Sequence, residues 1–125
     1  MKEHWKSEPD EHDYPAAHDY LTLVTDEAVA DSMVDLLRAA TLVHRKAKDI
    51  LRASRLALLP ADNAHVAKDL GKVKRGELLS PVLLVRGHTR ENLRVNDDLV
   101  IADGYHRVCA SYHLDENADI PCKLV

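Results

Sequence analysis

The stretch LVIADGYHRVCASYHL, residues 99–114, runs a strand, a turn and a helix together without a spacer. Leu99 to Ala102 is a short apolar run of the kind a buried strand makes. Asp103-Gly104 is turn chemistry, and Tyr105, His106 and Arg107 open a pattern that predicts a helix over 104–115. A helix start of this kind exposes unpaired N–H groups and a partial positive charge, which together favour an anion. Gly104 opens a backbone conformation closed to residues with a side chain and lets a ligand come near. Arg107 offers a planar fork of donors suited to phosphate oxygens, and His106 adds one or two more. A phosphate-bearing ligand fits this set. The plainer alternative is that Asp103 caps the helix and Arg107 pairs with a surface acid.

Outward from the junction, Pro81 introduces VLLV (82–85), a second buried strand, and GHTRENLRVNDD (87–98) is a long polar connection. IPCKLV (120–125) closes the chain as a third strand. Upstream, PADN (60–63) supplies turn residues, with Asp62 or Asn63 as the cap of a helix over 64–74. A helix over 45–54 turns Ala47, Ile50 and Leu51 inward and leads into the apolar run Leu56 to Leu59. Thr25 is the cap expected for a helix over 26–40, with Asp26 and Glu27 in its first turn. Val29, Met33, Leu36, Leu37 and Ala40 follow at helical spacing. Helices and strands in this order predict an α+β domain with a small mixed sheet packed with helices.

Residues 1–20 carry no periodic apolar pattern, and Pro9 and Pro15 punctuate them. They are expected to form an acidic arm, extended and outside the core, with Tyr14 and Tyr20 packed on the domain. Residues 1–31 hold nine acids against Lys2 and Lys6, whereas residues 38–75 hold ten bases against three acids. Complementary charge predicts that the head docks on the basic middle segment, an attraction screened over about 8 Å at physiological salt. A solvated helical face with a polar tail is the plainer alternative.

Composition bounds the function classes. With 125 residues, 46% hydrophobic and 30% charged, the chain has the makings of one globular domain. No apolar run approaches the roughly 18 residues of a membrane helix. The opening MKEHWKSEPDEHDY is acidic where a secretory leader is basic and apolar, so a cytoplasmic protein without membrane contact is expected. Cys109 and Cys122 fit no metal-ligand spacing and are expected as reduced thiols. His106 and His113 stand about 10.5 Å apart along one helix, too far to share an ion. His4, His12 and His18 are expected to chelate only adventitiously. No metal site is expected beyond a Mg²⁺ that accompanies a nucleotide.

SPVLLVRG, the polar connection, LVIADGYHRVCASYHL and IPCKLV follow one another in an order that resembles the ParB/sulfiredoxin superfamily. In that superfamily a proline-introduced strand, a hairpin, a second strand, a Gly-x-His-Arg turn opening a helix and a closing strand after Ile-Pro succeed each other. The resemblance covers residues 56–125 and implies a ParB/sulfiredoxin-like domain there, preceded by a helical extension (21–55) and the acidic arm (1–20). It implies that Gly104, Tyr105, His106 and Arg107 bind the phosphates of ATP or another nucleotide with Mg²⁺. It also implies that the helix over 64–74 joins them through His65, Lys68 and Lys72, the two lysines lying four apart on one face. Some members are small-molecule kinases with an acidic catalytic residue, and Asp103 is the candidate for that base or for a Mg²⁺ ligand.

Two departures narrow what the resemblance implies. Sulfiredoxin chemistry uses a cysteine between the glycine and the histidine; Tyr105 stands there, a phenol of pKa about 10. Cys109 falls on an apolar helix face and is expected in the core, so sulfiredoxin activity is not expected. Chromosome-segregating ParB proteins continue into a helix-turn-helix domain; this chain stops at Val125, so nucleic acid binding is expected to lack that reader. The expected function is a nucleotide-binding domain, either an NTPase or a small-molecule phosphoryl-transfer enzyme, with a homo-oligomer among the expected assemblies. The alternative from another class is a non-catalytic interaction module in a DNA-linked or regulatory complex.

Overall fold

The computed structural model describes residues 2–87 and 98–125. Among them are five helices, a two-stranded sheet and a four-stranded sheet. In chain order the elements are β1 (His4–Trp5), α1 (Asp13–Val24), α2 (Glu27–Ala39), β2 (Val43–Lys46), α3 (Ala47–Ser54) and α4 (Ala64–Lys74). There follow β3 (Leu78–Leu79), β4 (Val82–Val85), β5 (Val100–Asp103), α5 (Tyr105–Leu114) and β6 (Asp119–Leu124). The fold is a mixed α+β one. Most of the polar connection, residues 88–97, lies outside the described residues.

The larger sheet runs β2-β6-β4-β5 and is mixed: β6 lies parallel to β4, while β2 on β6 and β5 on β4 are antiparallel. Successive residues of a strand face opposite sides, so a strand covered on both sides reads as an unbroken apolar run. Leu83 and Val85 of β4, with Val100 and Ala102 of β5, pack into one core with α1 and α2. Val82, Leu84 and Ile101, with Ile120 and Cys122 of β6, pack into a second core with α3, α4 and α5. The result is three layers, helices on both faces of a thin sheet.

Three local expectations are corrected. The N-terminal arm is not extended: α1 begins at Asp13 and buries Tyr14, Ala17 and Leu21 in the first core. Its apolar stripe is one tyrosine, one alanine and one leucine, too thin for a hydrophobic pattern to reveal. Pro15 is tolerated because it sits in the first turn, where backbone donors have no intrahelical acceptor. Second, the helix expected from residue 45 starts at Ala47, and Val43–Lys46 instead pair with Asp119–Cys122 as β2. All four residues of this edge strand are exposed, so no alternation betrays it. Third, α2 is capped by Asp26 rather than Thr25; its Oδ1 accepts the Val29 N–H at 2.8 Å. Among the described residues, no helix is long and apolar enough to cross a membrane.

The acidic head docks partly on the basic segment 38–75, through Arg38, and partly on bases nearer the C-terminus. Glu11 pairs with Arg38, Glu8 with Lys123, and Asp13 with Arg107. Tyr14 is the anchor: the Arg38 guanidinium lies 4.3 Å from its ring centroid and the Lys123 ammonium 5.6 Å. Tyr20, expected as a second anchor, stays exposed.

Candidate functional site

The turn between β5 and α5 is closed to any residue but glycine. Gly104 has φ +107°, and a Cβ there would stand 2.5 Å from Val82 Cγ1 and 2.8 Å from the Arg107 guanidinium. Gly104 is the N-cap of α5 and supplies no side-chain acceptor to the first N–H groups of the helix. Asp103 does not cap the helix either. Its Oδ2 accepts from Arg107 Nη2 at 2.6 Å.

Arg107 therefore joins two carboxylates. Its side chain, 14% exposed, also reaches Asp13 Oδ2 at 3.4 Å. Asp13 is buried at the start of α1, accepts the Ser80 hydroxyl at 2.5 Å, and stands 3.3 Å from His12 Nε2. Ser80 in turn accepts the Asp10 backbone N–H, and Lys6 donates to the Asp10 carboxylate at 2.7 Å. The segment from Lys6 to Asp13 is in this way stitched to the end of β3 and to the α5 turn. Further up, Lys6 N–H donates to the Leu79 carbonyl, and buried Glu3 accepts the Ser111 hydroxyl.

These elements enclose a cleft of about 440 Å³. One wall is α4, with His65, Lys68, Asp69 and Lys72; it meets Gly104, His106 and Arg107 at the head of α5. A second wall is the N-terminal segment with Asp10, His12 and Asp13. Asn63 sets the first turn of α4 by accepting the N–H groups of His65 and Val66, which fixes His65 beside His106 with ring centroids 4.6 Å apart.

Electrostatics follow from crowding. Burial pushes the Asp103 and Asp69 carboxyls above their ordinary range; Arg107 opposes the shift at both, and the neighbouring Asp13 adds to it at Asp103. Burial, with His65 nearby, holds the His106 imidazole below its usual range, while Asp69 pulls the other way. The Lys6 hydrogen bond holds Asp10 low. Burial raises both thiols, Cys122 to about 11, and Cys109 is fully enclosed in the second core as expected.

Of the residues singled out in the sequence, Asp103, Gly104, His106, Arg107, His65, Lys68 and Lys72 meet at this one cleft. Tyr105 does not. Its hydroxyl donates to the Ala57 carbonyl, and with His113, which bonds the Leu59 carbonyl at 2.7 Å, it holds residues 56–59 against α5. A tyrosine at the second position of a turn points around the helix from its neighbours, which is why it leaves the cleft. Sequence reasoning missed Asp10, Asp13, Asp69 and Ser80. Asp69 was visible beside Lys68, but the others carry no spacing signal, because they reach the site through long-range contacts. It also gave His12 only adventitious chelation, with His4 and His18, and did not group it with Asp10 and Asp13, whose ligand atoms lie within 4.8 Å of one another and of its own.

Comparison of the chain with protein-family models, with curated proteins and with solved structures found no match.

Proposed function

We propose that the cleft between α4 and the α5 turn binds the phosphate groups of a nucleotide, and that the protein is a ParB/sulfiredoxin-like nucleotide-binding domain capable of phosphoryl transfer. One observation carries the reading. Two histidines and two lysines from α4 and α5 face one cleft at a helix start whose N-cap residue, Gly104, offers its N–H groups no side-chain acceptor. Its volume of about 440 Å³ is that of a small-molecule pocket, which supports a mononucleotide over a nucleic-acid duplex.

In phosphoryl transfer the protein contributes positioning and charge stabilisation rather than covalent chemistry. Lys68 and Lys72 are point charges for the terminal phosphates, and His106 is a donor at the turn. Mg²⁺ is ordinarily held by one or two carboxylates together with phosphate oxygens. Asp10 and Asp13 are the carboxylates of the second wall that fit this duty; His12 beside them is a poorer Mg²⁺ ligand. Bound Mg²⁺ supplies charge neutralisation on the transferring group.

A second reading, a non-catalytic interaction module, is supported by the state of Arg107. Asp103 and Asp13 are both closed on it, which leaves neither as a free base beside the phosphate position. A thermal-shift screen of ATP, CTP, GTP and ADP, with and without Mg²⁺, tests the proposal. A ligand at 100 times its Kd is expected to add about 2.7 kcal/mol. Stabilisation without turnover favours the second reading, and no shift with any of the four defeats the nucleotide reading.

A further inference from the structure

His65 sits in the first turn of α4 and His106 in the first turn of α5, and both line the cleft. Their ring centroids are 4.6 Å apart with planes inclined by 40°. Packing of one helix on the other sets that distance. The charged and titratable groups around the pair come from three sides. α4 presents Lys68, Asp69 and Lys72. The α5 turn presents Tyr105, whose ring centroid is 5.6 Å from that of His106, and Arg107, closed on Asp103 of β5. The N-terminal segment presents Lys6, Asp10, His12 and Asp13. α3 contributes the apolar Ala47, Ile50 and Leu51 to the core beneath α5, and none of its residues lines the cleft.

We propose that the His65–His106 pair loads a proton as a phosphate seats between α4 and α5, so that the cleft selects a terminal, monoester-type phosphate over a phosphodiester. This rests on the phosphate reading above and names the kind of phosphate. Two imidazolium rings this close repel, and the repulsion is stronger where water is partly excluded. Consistently, burial and His65 keep His106 below the usual imidazole range, with Asp69 opposing. A neutral imidazole donates from one nitrogen and accepts at the other, whereas the imidazolium donates from both. An acceptor nitrogen facing a phosphate oxygen is a mismatch that protonation removes. A monoester phosphate, with its second ionisation near pH 6, carries close to two charges at neutral pH. A diester carries one, and draws the proton less strongly. Lys68 and Lys72 attract either kind; the histidine pair is what tells them apart.

The test is calorimetric titration of the full chain with ADP, divalent ions chelated, at about pH 7.5, where the terminal phosphate is already ionised. It is run in two buffers of different ionisation heat. The expected difference in heat corresponds to uptake of roughly half to one proton per ADP. Uptake is expected to fall toward zero in the His65→Asn/His106→Asn variant, and cyclic AMP, a phosphodiester, is expected to bind about tenfold more weakly than ADP. A second readout needs no variant: ADP affinity is expected to rise about threefold as the pH falls from 8 to 7, as half a proton of linkage requires. Binding with buffer-independent heat, a flat profile between pH 8 and 7, uptake that persists in the double variant, or cyclic AMP bound as tightly as ADP each overturns the inference while the phosphate reading stands. If ADP does not bind at all, both fall.

Discussion

One wall of the cleft comes from α4 and the α5 turn and carries its basic groups at regular helical spacing: His65, Lys68 and Lys72 on one helix, His106 at the head of the other. The other comes from the segment Lys6–Asp13, whose cleft-lining Lys6 and Asp10 are closed on each other and whose Asp13 is closed on Ser80 and Arg107. Lys68 is exposed and Lys72 half-buried, whereas Asp13 is buried with three partners. The first wall has charge to offer a ligand. The second spends its charge on holding the N-terminus in place, so its acids belong to folding before they belong to chemistry. A charged residue lining a cleft is a binding group only to the extent that the fold leaves it unsatisfied.

The comparison breaks if the N-terminal segment is dispensable. Leu21 is fully buried in the first core, and Leu21→Ala is expected to cost about 2–5 kcal/mol in urea unfolding. Leu23 on the same helix is 83% exposed, and Leu23→Ala is expected to stay within about 0.5 kcal/mol. Equal effects would mean that α1 is not seated as described. Next in size is the turn. Gly104→Ala places a Cβ against Val82 at a positive φ, and a loss of about 2–3 kcal/mol is expected in the same assay.

Asp13→Asn sharpens the contrast between the walls. It keeps the shape but removes a buried charge facing Arg107, and about 1–2 kcal/mol of stability is expected to be lost. With divalent ions chelated, so that no Mg²⁺ bridges Asp13 to the phosphates, the smaller negative charge along the cleft is expected to raise ADP affinity, measured by calorimetry, roughly threefold to tenfold. A weaker affinity under those conditions would give Asp13 a direct part in holding the phosphates.

The smallest effect is at Asp69, whose carboxyl burial holds above the ordinary range despite Arg107 and Lys72. A raised folded-state pKa means that ionisation costs folding free energy at neutral pH, a cost that disappears once the group is protonated in both states. Asp69→Asn is therefore expected to stabilise the protein slightly at pH 7, by at most about 0.5 kcal/mol, with the gain fading as the pH falls through the raised folded-state range and gone below about 4. Unfolding curves at the two pH values check the sign.

How much of this was legible follows the same division. VLLV, LVIA and the α5 pattern announced themselves because strands buried on both faces are unbroken apolar runs and Gly104 marks the turn. His65, Lys68 and Lys72 came within reach through what the resemblance implied, and spacing added only that the two lysines share one face of a well-capped helix. What stayed hidden depends on distant partners. β2 is exposed along its length, and α1 shows three buried apolar residues, one of them an alanine. Asp13 reads as one acid among nine until Ser80 and Arg107, far along the chain, are brought against it. Tyr105, implied at the site together with its neighbours by the resemblance, is turned away from the cleft by one helical step, toward Ala57.

The most direct test of the phosphate-binding wall is ADP affinity in the Lys68→Ala/Lys72→Ala variant. Neither lysine is in the core, so the thermal midpoint without ligand is expected to stay near that of the native protein, and circular dichroism to match. Affinity is expected to fall at least roughly tenfold, and its dependence on salt to flatten, because two charge-assisted contacts to phosphate are gone. Undiminished ADP affinity in a correctly folded double variant would contradict the account and move the phosphate site away from α4.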